Sequence, residues 1–176
     1  DAYALMVKEL EAAQKELDVI IRQLEKKRER AELDYQRGRE IDFASRKGSL
    51  PWPVSGTVLR TFGKIVHPVY KTVIMNNGID IEAQRGQSVS CVAPGRVIYI
   101  GWMRGLGKFV MVDHFEGYLT IYAHLSTVGV REEQEVEYGT PVGRVGDTGS
   151  LQGAQLHFQI RKSTTSLDPL KWLEKE

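Results

Sequence analysis

The chain has 176 residues, enough for one ordinary domain and an appendage, and 41% of them are hydrophobic, which excludes a disordered chain. Its formal net charge is only +1, so electrostatics give no reason to expect nucleic acid or anionic lipid as a partner. No apolar run approaches the roughly 18 residues that a membrane-spanning helix needs, and we expect no direct membrane insertion. The sequence begins inside a helical pattern without a signal peptide, so we expect a longer parent protein.

Residues 1 to about 45 are predicted to form one long helix, because good helix formers dominate and no Gly or Pro occurs before Gly38. Apolar residues recur there in alternating steps of four and three: Met6, Leu10, Ala13, Leu17, Ile20 and Leu24. This heptad spacing is typical of a coiled coil, and Lys27 and Ala31 continue its phase more weakly. The partner of such a stripe is either an antiparallel helix or another copy of the chain. A dimerising spacer and a specific regulatory arm both remain open.

A change of texture follows at residues 46–53, where two prolines and a glycine cannot continue a helix. Beyond it, β-branched and aromatic runs predict strands, separated by turn pairs such as Pro94-Gly95 and Thr148-Gly149. The clearest strands are 97–100, 109–112, 119–122 and 156–160. The fold class is therefore α+β, with a coiled-coil helix over residues 1–47 and an all-β domain over residues 48–176. The lone Cys91 is expected to be a small buried core residue, and residues 168–173 are expected to form a short helical turn docked by Trp172.

Three motifs of the β region carry the chemistry: Asn76-Asn77-Gly78-Ile79-Asp80, Tyr122-Ala123-His124-Leu125 and Gln155-Leu156-His157-Phe158. In this order they resemble the LytM-type (lysostaphin-like, family M23) zinc peptidases, whose pattern is His-x-Gly-x-Asp, then Tyr-x-His, then His-x-His. Phe62-Gly63 before His67-Pro68-Val69 is similar to the opening of that family, and two later turns agree as well. The resemblance implies a LytM-type fold for nearly all of residues 51–173.

Two departures from the family pattern predict a catalytically dead domain. The resemblance makes the first His, the Asp and the last His the zinc ligands, and here Asn76 stands at the first of these positions, with Asp80 and His157 retained. An amide oxygen is a far poorer zinc ligand than imidazole, and catalytic zinc typically needs three protein ligands and a water. Gln155 replaces a histidine that assists proton transfer, a role Gln cannot fill near pH 7. We therefore expect no metal, no other cofactor and no hydrolysis.

A long coiled coil before a degenerate LytM-type domain resembles the EnvC-type murein hydrolase activators of bacterial cell division. The resemblance implies that the degenerate groove binds a peptidoglycan amidase (an N-acetylmuramoyl-L-alanine amidase), and that the coiled coil engages an FtsEX-type transporter complex. It also implies an exported protein of the periplasm or cell envelope, with peptidoglycan as a further candidate partner. The groove-lining residues expected on this basis are Asn76, Asp80, His124, Gln155 and His157.

Two other functions stay open from the sequence alone. The first is an active zinc endopeptidase on peptidoglycan cross-links that uses Asp80, His157 and a substitute ligand, although His67 and His114 are expected to be structural. The second is a structural protein whose helix oligomerises and whose β domain anchors to peptidoglycan. A lipoyl-type carrier domain is not supported, because no lysine stands in the required hairpin motif.

Overall fold

The computed structural model describes residues 1–28 and 32–175. The N-terminal part contains α1 (Ala2–Arg28) and α2 (Glu32–Ile41), followed by a 3-10 turn over Phe43–Arg46. The helical character predicted for this region is confirmed over those ranges, while Ala31 and the join between α1 and α2 lie outside the described residues. No described helix is both long and apolar enough to span a membrane.

Twelve strands, joined by turns and loops, lie in the rest of the described chain. They are β1 (Thr57–Arg60), β2 (Gly63–Val66), β3 (Val73–Asn76), β4 (Ile79–Glu82), β5 (Ser88–Ser90), β6 (Gly95–Met103), β7 (Gly107–Phe115), β8 (Tyr118–Val128), β9 (Glu135–Val136), β10 (Pro141–Val145), β11 (Gln155–Lys162) and β12 (Thr165–Leu167). The four strands predicted most clearly from the sequence lie within β6, β7, β8 and β11. A 3-10 turn over Pro169–Lys171 places Trp172, which is buried, so the predicted C-terminal turn is confirmed.

One antiparallel sheet of ten strands organises the described residues, with the order β1-β4-β11-β8-β7-β6-β9 and with β10, β5 and β12 attached to it. A separate hairpin of β2 and β3 stands beside it. In the register, His157 of β11 lies opposite Asp80 of β4 on one side and Ala123 of β8 on the other. The long central strands thus bring together the three motifs that are far apart in the sequence.

Side chains of the central strands alternate between the two faces of the sheet, and both faces are buried. Leu156, Phe158 and Ile160 of β11 point into the larger core, together with the buried Cys91. On the other face, Gln155, His157, Gln159 and Arg161 are also buried, although all are polar or charged. This polar row is covered by α1, so the face that carries the candidate site is the face that the helix covers.

The apolar stripe of α1 packs on the β domain of the same chain. Ala13, Leu17 and Ile21 are buried in one cluster with residues of the turn and strands that follow β6, including Leu106, Phe109 and Ile121. Burial of a Leu or Ile side chain from water stabilises a contact by roughly 1.5–3 kcal/mol. The apolar stripe predicted from the sequence is therefore a buried face of α1. In this structure the stripe packs on a β-sheet, and a coiled coil is not confirmed.

The residues just before the predicted boundary belong to the core of the β domain. Ile41 and Phe43 are buried in the larger core, and the Phe43 ring stacks on Trp172, with a centroid distance of 5.2 Å, and on His114, at 4.6 Å. The division at residue 47 stays a prediction. Ile41 and Phe43, which precede that division, complete the larger core of the β domain.

Candidate binding groove

The five residues singled out from the sequence lie together at one end of the sheet. They are Asn76 at the end of β3, Asp80 in β4, His124 in β8, and Gln155 and His157 in β11. All five are buried, and all five line one cavity of about 40 Å³ beneath α1. A cavity of this volume can hold water molecules but no larger ligand. We call these five residues the groove floor.

Asp80 is the centre of the groove floor. Its Oδ1 atom lies 2.7 Å from Nδ1 of His157. Its Oδ2 atom accepts hydrogen bonds from Nε of Arg60 at 3.0 Å and from Nδ2 of Asn76 at 3.2 Å. Burial alone would raise the pKa of Asp80, but His157 and Arg60 outweigh it and lower that pKa to about 2. The carboxylate is therefore charged at neutral pH, with both oxygens engaged by protein groups.

The amide of Asn76 is used up in local hydrogen bonds. Its Nδ2 atom donates to the carbonyl oxygen of Thr61 at 3.0 Å as well as to Asp80, and its Oδ1 atom accepts from the Gly78 backbone at 3.4 Å. The side chain thus presents N–H donors to Asp80 instead of a lone pair to the centre of the groove. This is the opposite of what a metal ligand must do.

Arg60 also belongs to the candidate site, although no sequence motif points to it. It is the last residue of β1, opposite Asp80 in the register of β1 and β4. Its Nη2 atom donates to Oε1 of Gln155 at 2.7 Å, and its Nη1 atom contacts Oε1 of Gln152. Twenty residues separate Arg60 from Asp80, and no motif links them. Only the pairing of the two strands could have revealed the contact.

His124 occupies a left-handed backbone conformation, with φ of 64°, which is rare for a residue with a Cβ. It lies where the pairing of β7 with β8 shifts register, between Tyr122 and Leu125 of β8. Its Nδ1 atom lies 2.7 Å from the carbonyl oxygen of Thr148. Desolvation by burial, followed by the neighbouring His157, lowers the pKa of His124 to about 4. The ring is therefore neutral at pH 7 and faces the groove.

The two histidines expected to be structural have local partners. His114 is fully buried, with its ring nitrogens 2.7 Å from the Pro94 carbonyl oxygen and from the Thr120 hydroxyl. Desolvation lowers its pKa to about 4. His67 accepts backbone hydrogen bonds from Val69 and Tyr70 in the turn between β2 and β3.

The donor set does not fit a catalytic zinc ion. Asn76 offers donors, the Asp80 oxygens are hydrogen-bonded, and a guanidinium stands beside the carboxylate. Two ligand atoms on one tetrahedral zinc lie roughly 3.4 Å apart at ordinary bond lengths, whereas the Asp80 and His157 atoms here are at hydrogen-bond distance. Among residues 1–28 and 32–175, no three His, Cys, Asp or Glu side chains form a group that could hold a metal.

The first half of α1 forms the roof of the groove. Met6, Glu9 and Leu10 line the cavity from above, and Sδ of Met6 accepts from Nε2 of Gln152 at 3.4 Å. The turn after β6 approaches so closely that a Cβ on Gly105 would lie 2.7 Å from the Glu9 carbonyl oxygen. The helix backbone is thus seated directly on the groove rim.

A chain of polar contacts ties α1 to the groove floor. Arg161 is fully buried, and its guanidinium contacts Asp18 of α1 at 3.2 Å and Gln14 at 2.5 Å. Its Nε atom donates to Gln159 at 2.8 Å, and the Gln159 amide lies 2.9 Å from Nε2 of His157. Replacing Asp18 while α1 stays docked would therefore leave a buried cation without its carboxylate partner.

The chain is similar in sequence to one peptidase family and to several known proteins. The sequence profile of peptidase family M23 matches residues 74–169, which is more than half of the chain. The murein hydrolase activator NlpD of Escherichia coli is 40% identical over 123 residues, covering 69% of this chain and 30% of NlpD. The cell division protein DipM of Caulobacter vibrioides is 38% identical over 130 residues, covering 73% of this chain and 20% of DipM.

A solved structure of a zinc-containing peptidase from Vibrio cholerae has the same fold, with a TM-score of 0.65 and 28% identity over 71% of this chain and 40% of that one. The match spans about a third or less of the length of NlpD and DipM. The LytM-type, mostly β fold predicted from the sequence is confirmed. These two relatives are of the NlpD and DipM types, and the finer resemblance to EnvC-type activators remains a prediction.

Proposed function

We propose that this chain, which belongs to peptidase family M23, is a non-enzymatic activator that binds a peptidoglycan amidase through its degenerate groove during bacterial cell division. NlpD is a murein hydrolase activator and DipM a cell division protein, which supports the general role. Their lengths far exceed the matched region, so the partner and the place of action are part of the proposal.

The observation that carries the proposal is that a helix already occupies the groove. The M23 groove of this chain has α1 packed along it, with Met6 and Leu10 over the floor and Asp18 bound to Arg161. A surface that buries one amphipathic helix can bury another of similar pattern. An amidase helix that offers apolar anchors and a few polar groups would replace α1 contact for contact.

The residues of the groove floor support a binding role over hydrolysis. A peptidase needs an activated water and a group that moves protons, while Asn76 and Gln155 supply neither. Asp80 and His157 remain, but they are hydrogen-bonded to each other, and Asp80 also accepts from Arg60 and Asn76. The alternative, an active zinc endopeptidase, would have to break these hydrogen bonds before it could bind a metal.

The docking of α1 on the groove supports a mechanism in which release of α1 controls a partner's access to the groove. With α1 docked, the groove is closed to a partner, and with α1 displaced it is open, which gives two states that a third protein can bias. We propose that an FtsEX-type transporter complex displaces α1 from the groove, in the periplasm or cell envelope. Peptidoglycan itself is a further candidate ligand of the β domain.

A matched pair of substitutions in the β2–β3 hairpin tests the groove proposal. Ile74 is 5% exposed and lines the groove cavity, whereas its neighbour Val73 is 52% exposed on the outer face. Neither residue belongs to the two large apolar clusters. We expect Ile74→Asp to reduce amidase stimulation about 10- to 100-fold, as loss of one buried apolar anchor predicts, and Val73→Asp to leave it unchanged.

The measurement is dye release from labelled sacculi by a cognate amidase, with each folded variant added at equal concentration. Equal stimulation by Ile74→Asp and Val73→Asp would place the partner outside the groove. Release of muropeptides by this chain alone, dependent on zinc, would instead favour the endopeptidase.

A further inference from the structure

We propose that Arg60 is a built-in cation that replaces the metal ion of this family, so that the groove is charge-balanced without a metal and rejects one. The charge balance of the groove floor does not depend on which partner the groove binds.

The contacts of Arg60 coincide with the positions that matter for metal chemistry in the family. The guanidinium holds Asp80, which occupies a ligand position, and Gln155, which occupies the position of a catalytic histidine. A planar guanidinium can serve two such oxygen atoms at once in fixed geometry. A β-bulge between Val58 and Arg60 shifts the register at this point of β1, where the side chain reaches the floor from the strand edge.

The charge balance of the floor explains why a cation is needed. Asp80 is a buried carboxylate, and a buried charge is costly unless it is paired and hydrogen-bonded. In an active relative the metal would supply the positive charge, and here the Arg60 side chain supplies it at 3.0 Å. Arg60 remains 21% exposed, so its own head group keeps contact with water while it neutralises the carboxylate.

The same arrangement rejects a metal ion. A dication beside Oδ2 of Asp80 would lie next to a fixed positive charge, and like charges at such short range repel strongly in a partly buried site. Restoring the missing histidine alone therefore does not restore the site. Asn76 and Arg60 both oppose metal binding, and only Asn76 is visible in the family motif.

Zinc affinity in paired variants of the full chain tests the proposal. Asn76→His completes the ligand set with Asp80 and His157, and the double variant Asn76→His, Arg60→Gln also removes the cation. We expect the double variant to bind zinc at least tenfold more tightly than the single variant in a chelator-competition titration at pH 7.5. The matched control is Asn76→His, Arg85→Gln, because Arg85 is 68% exposed and pairs with Asp147 away from the floor. It should bind zinc like Asn76→His alone.

Equal zinc affinity with and without Arg60 would overturn the proposal. If the glutamine variant does not fold, Arg60→Met takes its place in the same titration. A second measurement uses no added histidine: Arg60→Gln should lower the melting temperature, Arg60→Lys should recover part of the loss, and EDTA should not change the melting of the wild type. A wild type that loses stability in EDTA, or an Arg60→Gln variant as stable as the wild type, would also refute it.

Discussion

Reversing the charge of Asp18 should release α1 from the groove. In the docked state Asp18 faces the guanidinium of Arg161 at 3.2 Å, and the Arg161 side chain is completely buried. Removing one partner of a buried ion pair costs about 3–5 kcal/mol. Because the Asp18 side chain is 29% exposed, we take the lower end, about 3 kcal/mol, which moves the balance between docked and undocked α1 on the order of 100-fold.

The assay for this prediction combines amidase stimulation with hydrogen exchange of residues 2–28. Asp18→Lys should exchange faster along α1 and stimulate a cognate amidase more strongly than the wild type. Glu16→Lys is the matched control, since it makes the same change of charge on the exposed face of the same helix. Faster exchange without greater stimulation would refute gating by α1. Unchanged exchange would refute the energy assigned to the ion pair.

Three further predictions concern stability and chemistry. His114 and His124 have pKa values near 4 in the folded chain, against 6.5 unfolded. Each histidine should therefore lower the free energy of unfolding by roughly 3 kcal/mol as the pH falls from 6.5 to 4. Denaturant titrations should show this loss of stability, and His124→Gln should remove about half of it. Phe43→Ala should destabilise the chain by about 3–5 kcal/mol and lower its melting temperature by roughly 6–20 °C, whereas little change would mean that the β domain starts after Phe43. Incubation of the purified wild type with peptidoglycan and zinc should release no muropeptides, and chromatography showing zinc-dependent products would contradict the non-enzymatic assignment.

The sequence by itself determined the LytM-type, mostly β fold and the five residues of the groove floor. Strand and turn patterns depend on neighbouring residues, so 97–100 or Thr148-Gly149 could be located without any tertiary information. The three motifs also placed Asn76, Asp80, His124, Gln155 and His157 in one site, because their order and spacing belong to a known family. These features are local or inherited, and a linear pattern is enough to find them.

The tertiary structure alone decided what the apolar stripe of α1 covers and which cation faces Asp80. Heptad spacing identifies a buried helix face but not its partner, since a β-sheet and a second helix bury apolar area equally well. Arg60 and Arg161 look like ordinary charged strand residues until strand pairing sets one opposite Asp80 and helix docking sets the other against Asp18. Contacts between charges distant in sequence depend on register and packing, and a one-residue slip would turn either side chain to the other face.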